Sequence, residues 1–220
     1  MYWPMSTFPR TTDKACQRIE YMTNRSSQAV IHACVLAAGT STRFGATKLV
    51  RHLRGKPLLQ RALRAAQGAC EGSVTLVVGH DEENVTAASA GLSDDVIVNC
   101  DYKLGMGSSI SAGVRACRKD ADAILIVLAD QPLVTAVHLN ELIDTWSGAK
   151  TEIVASGFEG IVDPPILFPK SAFDALCDLT GDTGARKILL DDQFDVRNVE
   201  FPPASVDVDT PEDLQDLNQG

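Results

Sequence analysis

The sequence predicts a single α/β domain, a three-layer sandwich in which helices cover both faces of a mostly parallel, Rossmann-like sheet. Four stretches are mostly apolar, as in strands buried on both faces. Amphipathic segments with helical spacing alternate with these stretches. The chain has 220 residues, 45% of them hydrophobic and 22% charged, which is typical of one globular domain with a sizeable core.

The strands are predicted from apolar runs and the helices from their starts. Buried strands are expected at residues 29–36, 73–78, 95–98 and 123–128, and shorter ones near 152–156, 166–168 and 195–200. Pro57 suits a first helical turn and begins a helix that runs to Ala66. Further helices are expected at 108–118, from the cap at Thr135 to near Trp146, from Ser171, and from the N-cap Thr210.

Residues 1–28 differ from the rest, because their hydrophobic residues show neither helical nor strand spacing. We expect a poorly ordered N-terminal extension over 1–28 and the domain over 29–220. Met22 is a candidate natural start, since every motif follows it. The first 28 residues contain no secretory apolar core, and no apolar run approaches membrane-spanning length.

Charge and cysteine content exclude several classes of protein. The net charge of −9 argues against nonspecific nucleic-acid binding, and we expect neither a nucleic-acid nor a membrane partner. The six cysteines show no C-x-x-C spacing. Cys34, Cys70 and Cys117 lie in apolar segments, which predicts buried free thiols and a cytoplasmic setting.

A loop of small residues, Ala37-Ala-Gly-Thr-Ser-Thr-Arg-Phe-Gly45, follows the first predicted strand. Such a loop allows backbone N–H groups to close around phosphate oxygens. Arg43 adds a forked donor and Lys48 a point charge, the two usual partners of phosphate. The loop is neither a Walker motif nor a dinucleotide fingerprint, because the glycine spacing of both is missing.

Other polar residues also follow predicted strands. Gly79, Asn99 and Asp130 each come directly after one, so they should meet the small-residue loop at one edge of the sheet. Asp130 ends a buried strand and has two interpretations. It ligates Mg²⁺ together with nucleotide phosphates, or it begins a turn before Pro132.

Five motifs in order resemble the nucleotidyltransferases of the molybdenum cofactor cytidylyltransferase group. They are the small-residue loop with Lys48, residues 99–113, Leu128-Ala-Asp-Gln-Pro132, Gly181-Asp-Thr-Gly-Ala-Arg186 and Asp207-Val-Asp-Thr-Pro-Glu-Asp213. The resemblance implies the nucleotide-diphospho-sugar transferase type of fold. It also implies transfer of a nucleotidyl group from CTP to a molybdopterin-type acceptor, with Mg²⁺ and release of pyrophosphate. A molybdenum enzyme would receive the product.

The resemblance also implies roles for individual residues. Lys48 would stabilise the charge that grows on the α-phosphoryl group, and Arg43 would hold the departing pyrophosphate. Asp130 would bind the metal, with Asp209 as the first choice for a second ligand and Asp207 as the next. Both are expected on a strand, and only one of them is expected to ligate the metal. The expected nucleotide-binding residues are Ala37, Ala38, Gly39, Thr40, Ser41, Arg43, Lys48, Gly79, Asn99, Gly107 and Ser109.

The acceptor half of the site is left more open. Asp182 and Arg186 either bind the acceptor, with Arg186 on a phosphate, or form an ordinary capped helix start. In addition, Asp163 occupies a position where the family usually has glycine, before Pro164-Pro165. A carboxylate beside a phosphorylated pterin is unfavourable unless it is paired.

Three alternatives to a cytidylyltransferase remain. One is a guanylyltransferase, and another is a transferase for a different phosphorylated small molecule. The third, from another class, is a noncatalytic carrier that binds the finished cofactor and delivers it. A carrier needs no metal-activated phosphate site, so Lys48, Asp130 and Asp209 favour catalysis. Leu36-Ala-Ala-Gly39 resembles cytidylyl-type members, and the methyl group of Ala38 should favour CTP over GTP.

Overall fold

The computed structural model describes residues 29–182 and 184–219. The predicted N-terminal extension, 1–28, lies outside the described residues, as does Thr183 of the fourth motif. Within the described part, the α/β class and the mostly parallel sheet are confirmed.

Seven strands form the central sheet, in the order β5-β4-β1-β6-β8-β7-β9. A short antiparallel pair, β2 and β3, lies apart from it. The strands are β1 (Ile31–Ala37), β2 (His52–Leu53), β3 (Lys56–Pro57), β4 (Val74–Val78), β5 (Asp95–Val98), β6 (Ala123–Leu128), β7 (Glu152–Phe158), β8 (Ile161–Pro169) and β9 (Asp195–Glu200).

Three of the four predicted apolar strands, β1, β4 and β6, form the centre of this sheet, whereas β5 is an edge strand whose residues are mostly exposed, so its predicted burial is wrong. β1 pairs in parallel with β4 and β6, and β4 pairs in parallel with β5. β8 is reversed, because it pairs antiparallel with both β6 and β7, while β9 is again parallel to β7. β7 and β8 are joined by the tight turn at Glu159-Gly160, where both residues have positive φ. A two-residue turn allows only an antiparallel hairpin.

The helices are amphipathic and cover both faces of the sheet. Their bounds are α1 (Leu58–Ala69), α2 (Glu82–Ser89), α3 (Met106–Cys117), α4 (Ala136–Thr145), α5 (Phe173–Cys177), α6 (Arg186–Leu189) and α7 (Pro211–Gln219). The helices predicted from Pro57, Ser108, Thr135, Ser171 and Thr210 are therefore confirmed to within a few residues. The Thr135 hydroxyl accepts a hydrogen bond from the His138 N–H and caps α4, as predicted.

Two apolar cores lie on opposite sides of the sheet. α1 and α4 pack together on one side, around Leu59, Leu63 and Leu139. α3 and α5 pack together on the other, around Ile110 and Phe173. Side chains that alternate along β1 and β6 enter one core and then the other, which explains why these strands are apolar throughout.

Three features differ from the sequence prediction. The helix α2 was not predicted, because its acidic first turn gives only a weak apolar face. The antiparallel pair β2–β3 was also not predicted. Residues 206–209 lie outside the sheet and form no strand, so the strand expected to carry Asp207 and Asp209 is wrong.

The described cysteines have the predicted free state. Cys34, Cys70, Cys117 and Cys177 are buried and unpaired, whereas Cys100 is exposed. Burial raises the pKa of Cys70 to about 12. No helix in the described part of the chain is long and apolar enough to cross a membrane.

Candidate active site

The predicted site residues converge at the carboxyl edge of the parallel strands. β1 leads into the small-residue loop, β4 into Gly79, β5 into Asn99, and β6 into Asp130. β1 lies between β4 and β6, so the loop is central at this edge. Lys48 begins a single helical turn, Lys48–Val50, and its side chain points inward, so that only 8% of the residue is exposed.

Lys48 joins two carboxylates from distant parts of the chain. Its Nζ lies 2.8 Å from Oδ2 of Asp130 and 3.0 Å from Oδ1 of Asp209. The second oxygen of Asp209 lies 2.9 Å from a guanidinium nitrogen of Arg43. The structure therefore brings together Lys48, Arg43, Asp130 and Asp209, four of the residues predicted for catalysis and metal binding.

The electrostatic balance keeps Lys48 charged. Burial by itself would lower the pKa of this amine, but the charges and hydrogen bonds of Asp130 and Asp209 outweigh burial and raise the pKa. A lysine that stays protonated here acts as a fixed positive charge rather than as a base.

Two more carboxylates make the centre strongly negative. Burial and the charge of Asp130 raise the pKa of Asp163. The side chain of Asp207 is exposed overall, yet partial burial of its carboxyl group and the charges of Asp130, Asp163 and Asp209 raise its pKa to about 6. Four carboxylates thus face two cations, Lys48 and Arg43, and the excess negative charge favours an added cation.

The donor set fits a divalent cation such as Mg²⁺ or Mn²⁺. Both ions prefer carboxylate oxygens, and Mg²⁺ typically takes one or two of them and completes its shell with water and substrate phosphates. Among the described residues, no three His, Cys, Asp or Glu side chains form a ready-made metal cage. Asp130 and Asp209 would therefore hold the metal only together with a nucleotide. Asp207 does not share their contact with Lys48.

Local hydrogen bonds fix the position of Asp209. The N–H of Val208, a fully buried residue, donates to the carbonyl of Asp130 at 3.0 Å, which ties this segment to the end of β6. Asp213, in the first turn of α7, accepts hydrogen bonds from the N–H groups of Asp209 and Thr210, at 2.9 and 2.8 Å. The Thr210 hydroxyl accepts from the N–H of Asp213 at 3.2 Å in return.

The small-residue loop borders an open pocket of about 440 Å³. Ser41 adopts a left-handed conformation, φ 51°, and starts a tight turn over Thr42–Phe44. A Cβ placed on Gly39 would meet no protein atom within 4 Å, so the space beside this backbone is open to a ligand. Thr40 and Ser41 line the pocket together with Gly45.

Six of the residues that line this pocket were not predicted as binding residues, and three of them come from other parts of the chain. His80, Tyr102 and Lys103 form the wall opposite the loop. The Lys103 amine lies 5.8 Å from the centre of the Tyr102 ring. Gly79 is needed for this wall, because a Cβ there would lie 2.7 Å from Cβ of Tyr102. The available signal was a basic residue beside an aromatic one in a loop after a strand.

Other predicted nucleotide residues lie at this edge but have internal partners. The buried amide of Asn99 donates to the hydroxyl oxygens of Ser108 and Ser109, both at 2.9 Å, and accepts from the Asp101 N–H. The N–H of Gly107 donates to Gly181 at 2.8 Å. Ala37 and Ala38 are buried beneath the loop. These hydrogen bonds thus hold the shape of the segment between β5 and the start of α3. Contact of Asn99, Ser109 and Gly107 with a nucleotide stays a prediction.

A second, larger cleft of about 650 Å³ lies on the α3 side of the sheet. Its walls are mainly apolar, from α3, α6, β6 and β8, and include Ile110, Leu128 and Phe168. Its polar side chains are Asp163, Asp182 and Arg186. The two predicted acceptor residues, Asp182 and Arg186, therefore share one cleft, and Asp163 lies between that cleft and the carboxylate centre.

The family is decided by a match along most of the chain. Residues 33–196 match the family model described as MobA-like NTP transferase domain. The chain belongs to this family. The match begins in β1 and includes both the small-residue loop and Asp130. The resemblance stated from the motifs is thereby confirmed at the family level.

Two relatives extend the match in sequence. The purine catabolism protein PucB of Bacillus subtilis is 33% identical over 189 residues, which cover 81% of this chain and 91% of PucB. The bifunctional protein GlmU of Agrobacterium fabrum is 33% identical over 138 residues, 61% of this chain but 29% of GlmU. The chain thus spans less than a third of GlmU.

Solved structures show the same fold. Rv0371c of Mycobacterium tuberculosis, in complex with manganese, is 29% identical with a TM-score of 0.72, over 86% of this chain and 98% of that one. Molybdopterin-guanine dinucleotide biosynthesis protein A of Archaeoglobus fulgidus is 19% identical, with a TM-score of 0.64, over 86% and 97% of the two chains. Family and fold together identify this MobA-like protein as a nucleotidyltransferase.

Proposed function

We propose that this MobA-like protein transfers a cytidylyl group from CTP to the phosphate of a molybdopterin-type acceptor and releases pyrophosphate. The observation that carries the proposal is the bridge from Lys48 to Asp130 and Asp209. Ser41, which lines the pocket of the small-residue loop, accepts a hydrogen bond from the Lys48 N–H, and Asp163, which lines the apolar cleft, interacts electrostatically with Asp130. Two substrates bound in these two spaces would meet at this bridge. A molybdenum enzyme in the cytoplasm is the proposed recipient of the product.

The chain's own residues supply the binding and the charge that the reaction needs. The loop at Gly39, Thr40 and Ser41 binds phosphate oxygens through its backbone N–H groups. Lys48 neutralises the charge on the α-phosphoryl group, and Arg43, 74% of whose side chain is exposed, holds the leaving pyrophosphate. Since the acceptor phosphate is already ionised near neutral pH, no general base is required.

Asp130 and Asp209 are the proposed ligands of the divalent metal, and Mg²⁺ is the proposed ion. When it is bound, the metal supplies positive charge to the phosphate oxygens of the nucleotide. Two charged reactants would otherwise repel each other. Asp130 and Asp209 would hold this charge in place. Lys48, which contacts both carboxylates, adds a positive charge that belongs to the protein.

The preference for CTP is proposed from the loop. The methyl group of Ala38 is buried and faces Gly79, so it limits how closely a base can approach this backbone. A pyrimidine fits beside the methyl group, whereas a purine would require the chain to move. Selectivity from shape is modest, about 1–3 kcal/mol.

The test measures pyrophosphate release by the purified protein with each of the four NTPs, with and without molybdopterin. We expect release only with the acceptor, and fastest with CTP. Competition binding of CTP and GTP at matched Mg²⁺ concentration measures the preference for CTP directly. Ala38→Gly should reduce this preference. Equal or tighter binding of GTP would contradict the cytidylyl assignment. NTP binding without pyrophosphate release from any NTP would favour a carrier.

A further inference from the structure

Asp163 lacks a partner although it lines the apolar cleft. Its side chain is partly buried, and within the described ranges no donor or cation lies close enough to hydrogen-bond or pair with it. Arg186 lines the same cleft but does not reach Asp163. A carboxylate that is partly shielded from water and lacks a partner is less stable than a fully hydrated one, and a ligand that donates hydrogen bonds to it would compensate for this.

The surroundings of Asp163 define what could compensate it. Apolar side chains such as Ile110, Leu128 and Phe168 form most of the cleft walls, which suits a flat, weakly polar ring. Negative charge at Asp130 and Asp207 excludes an anionic group beside Asp163, because like charges repel. What remains is a ring edge that carries N–H donors.

We propose that Asp163 determines acceptor specificity by accepting hydrogen bonds from the N–H edge of a flat heterocycle, such as the adjacent amino and ring N–H groups of an aminopyrimidine. Two parallel N–H groups match the two oxygens of a carboxylate. The exposed guanidinium of Arg186, in the same cleft, is then available to an anionic group on the acceptor.

This inference rests on the proposed function only in taking the cleft as the acceptor site. This proposal gives a physical reason for Asp163 at a position where the family usually has glycine. With glycine, the cleft would accept any flat ring of suitable size. With Asp163, an acceptor that lacks the paired donors leaves a buried carboxylate unsatisfied, which sites of this kind reject strongly.

The experiment compares two probes that differ at this edge. Pterin carries the amino group next to a ring N–H, and lumazine has a carbonyl oxygen in place of the amino group. Binding of each is measured by equilibrium dialysis, without nucleotide, to the full chain and to Asp163→Asn, Asp163→Gly and the control Asp192→Asn. Asp192 is an exposed carboxylate outside the cleft lining.

We expect the wild type and Asp192→Asn to bind pterin roughly tenfold or more tightly than lumazine. This ratio should fall to about one in both Asp163 variants. Binding of CTP should be unchanged, which shows that the variants fold. Mn²⁺ binding should weaken only slightly, because Asp163 adds negative charge near the centre without being a ligand. The ratio of two probes reports on recognition, and a general structural defect would not change it.

Three results would overturn the proposal. They are equal binding of pterin and lumazine by the wild type, a pterin preference that persists in Asp163→Asn, and a loss of Mn²⁺ binding in Asp163→Asn as large as that in Asp130→Asn, which would make Asp163 a metal ligand. None of these readouts depends on nucleotidyl transfer. A protein that releases no pyrophosphate with molybdopterin but keeps the pterin preference would refute the proposed function alone.

Discussion

Lys48 is the residue whose chemistry is most constrained by its contacts. It is buried, positively charged and in contact with two carboxylates, so its charge is fixed before any substrate arrives. Preorganised charge of this kind does not have to reorient during the reaction, and it typically accounts for a large part of catalysis of phosphoryl transfer.

Lys48→Ala should lower the rate of nucleotidyl transfer about a hundredfold, because loss of one preorganised charge costs roughly 3 kcal/mol of transition-state stabilisation. The measurement is steady-state pyrophosphate release, with thermal unfolding of the same preparations. Lys56→Ala, which removes an exposed lysine on β3, is the matched control and should retain activity. Equal turnover by Lys48→Ala and wild type at matched thermal stability would refute the role.

Asp130→Asn and Asp209→Asn should each weaken divalent-metal binding in the presence of nucleotide more than Asp207→Asn. Asp130 and Asp209 both touch Lys48, whereas Asp207 does not. Mg²⁺ or Mn²⁺ titrations of nucleotide binding in the three variants give the order. Unchanged metal affinity in Asp130→Asn would rule it out as a ligand.

At the residue scale, the sequence predicted that polar residues would meet at one edge of the sheet, but it did not predict the contacts that support them. Lys48, Arg43 and Asp130 follow strand ends, and parallel strands place their carboxyl ends at one edge. In contrast, the approach of Tyr102 to Gly79 depends on how two loops pack, and no local pattern records such packing. The hydrogen bonds of the Asn99 side chain could not be predicted for the same reason.

How well a strand or helix could be predicted depended on how far its local sequence determines its surroundings. The strands β1, β4 and β6 could be predicted from their apolar runs, because a strand buried on both faces needs apolar residues at nearly every position. The reversal of β8 could not be predicted, since its apolar pattern is the same in either direction. The segment 206–209 lies outside the sheet, and the Val208–Asp130 hydrogen bond, a contact between distant parts of the chain, ties it to the residues that follow β6.

The start of α7 is expected to influence the metal site. Asp213→Ala removes the acceptor of the Asp209 and Thr210 N–H groups, so Asp209 should lose its fixed position. We expect metal affinity in the presence of nucleotide to fall roughly tenfold, as for other residues that orient a metal ligand.

The matched control for this prediction is Asp216→Ala, which removes an exposed carboxylate from the same helix. Mn²⁺ titration in the presence of nucleotide should distinguish the two variants, and circular dichroism checks the helix content. If Asp213→Ala and Asp216→Ala bind Mn²⁺ equally well, α7 does not orient Asp209.

At the scale of the whole molecule, the distribution of thiols tests the two-sided core. In a Cys16→Ser background, native protein at pH 8 should react quickly with a thiol reagent at Cys100 alone, because the other four described thiols are buried. The thiolate is the reactive form, and a pKa of about 12 leaves almost none of it at Cys70.

Mass spectrometry of the labelled protein identifies the reactive position. All five remaining thiols should react after unfolding in denaturant, and Cys16→Ser/Cys100→Ser should show no fast reaction when native. Fast labelling of Cys34 or Cys117 in the native state would contradict the packing of α3 against β1.

The bridge from Lys48 to Asp209 joins positions that lie 161 residues apart. The charged centre is therefore assembled from three distant parts of the chain: Lys48 follows β1, Asp130 follows β6, and Asp209 precedes α7. The three side chains meet only when the sheet between them has folded. A fragment that contains one of these residues without the others therefore lacks the complete centre.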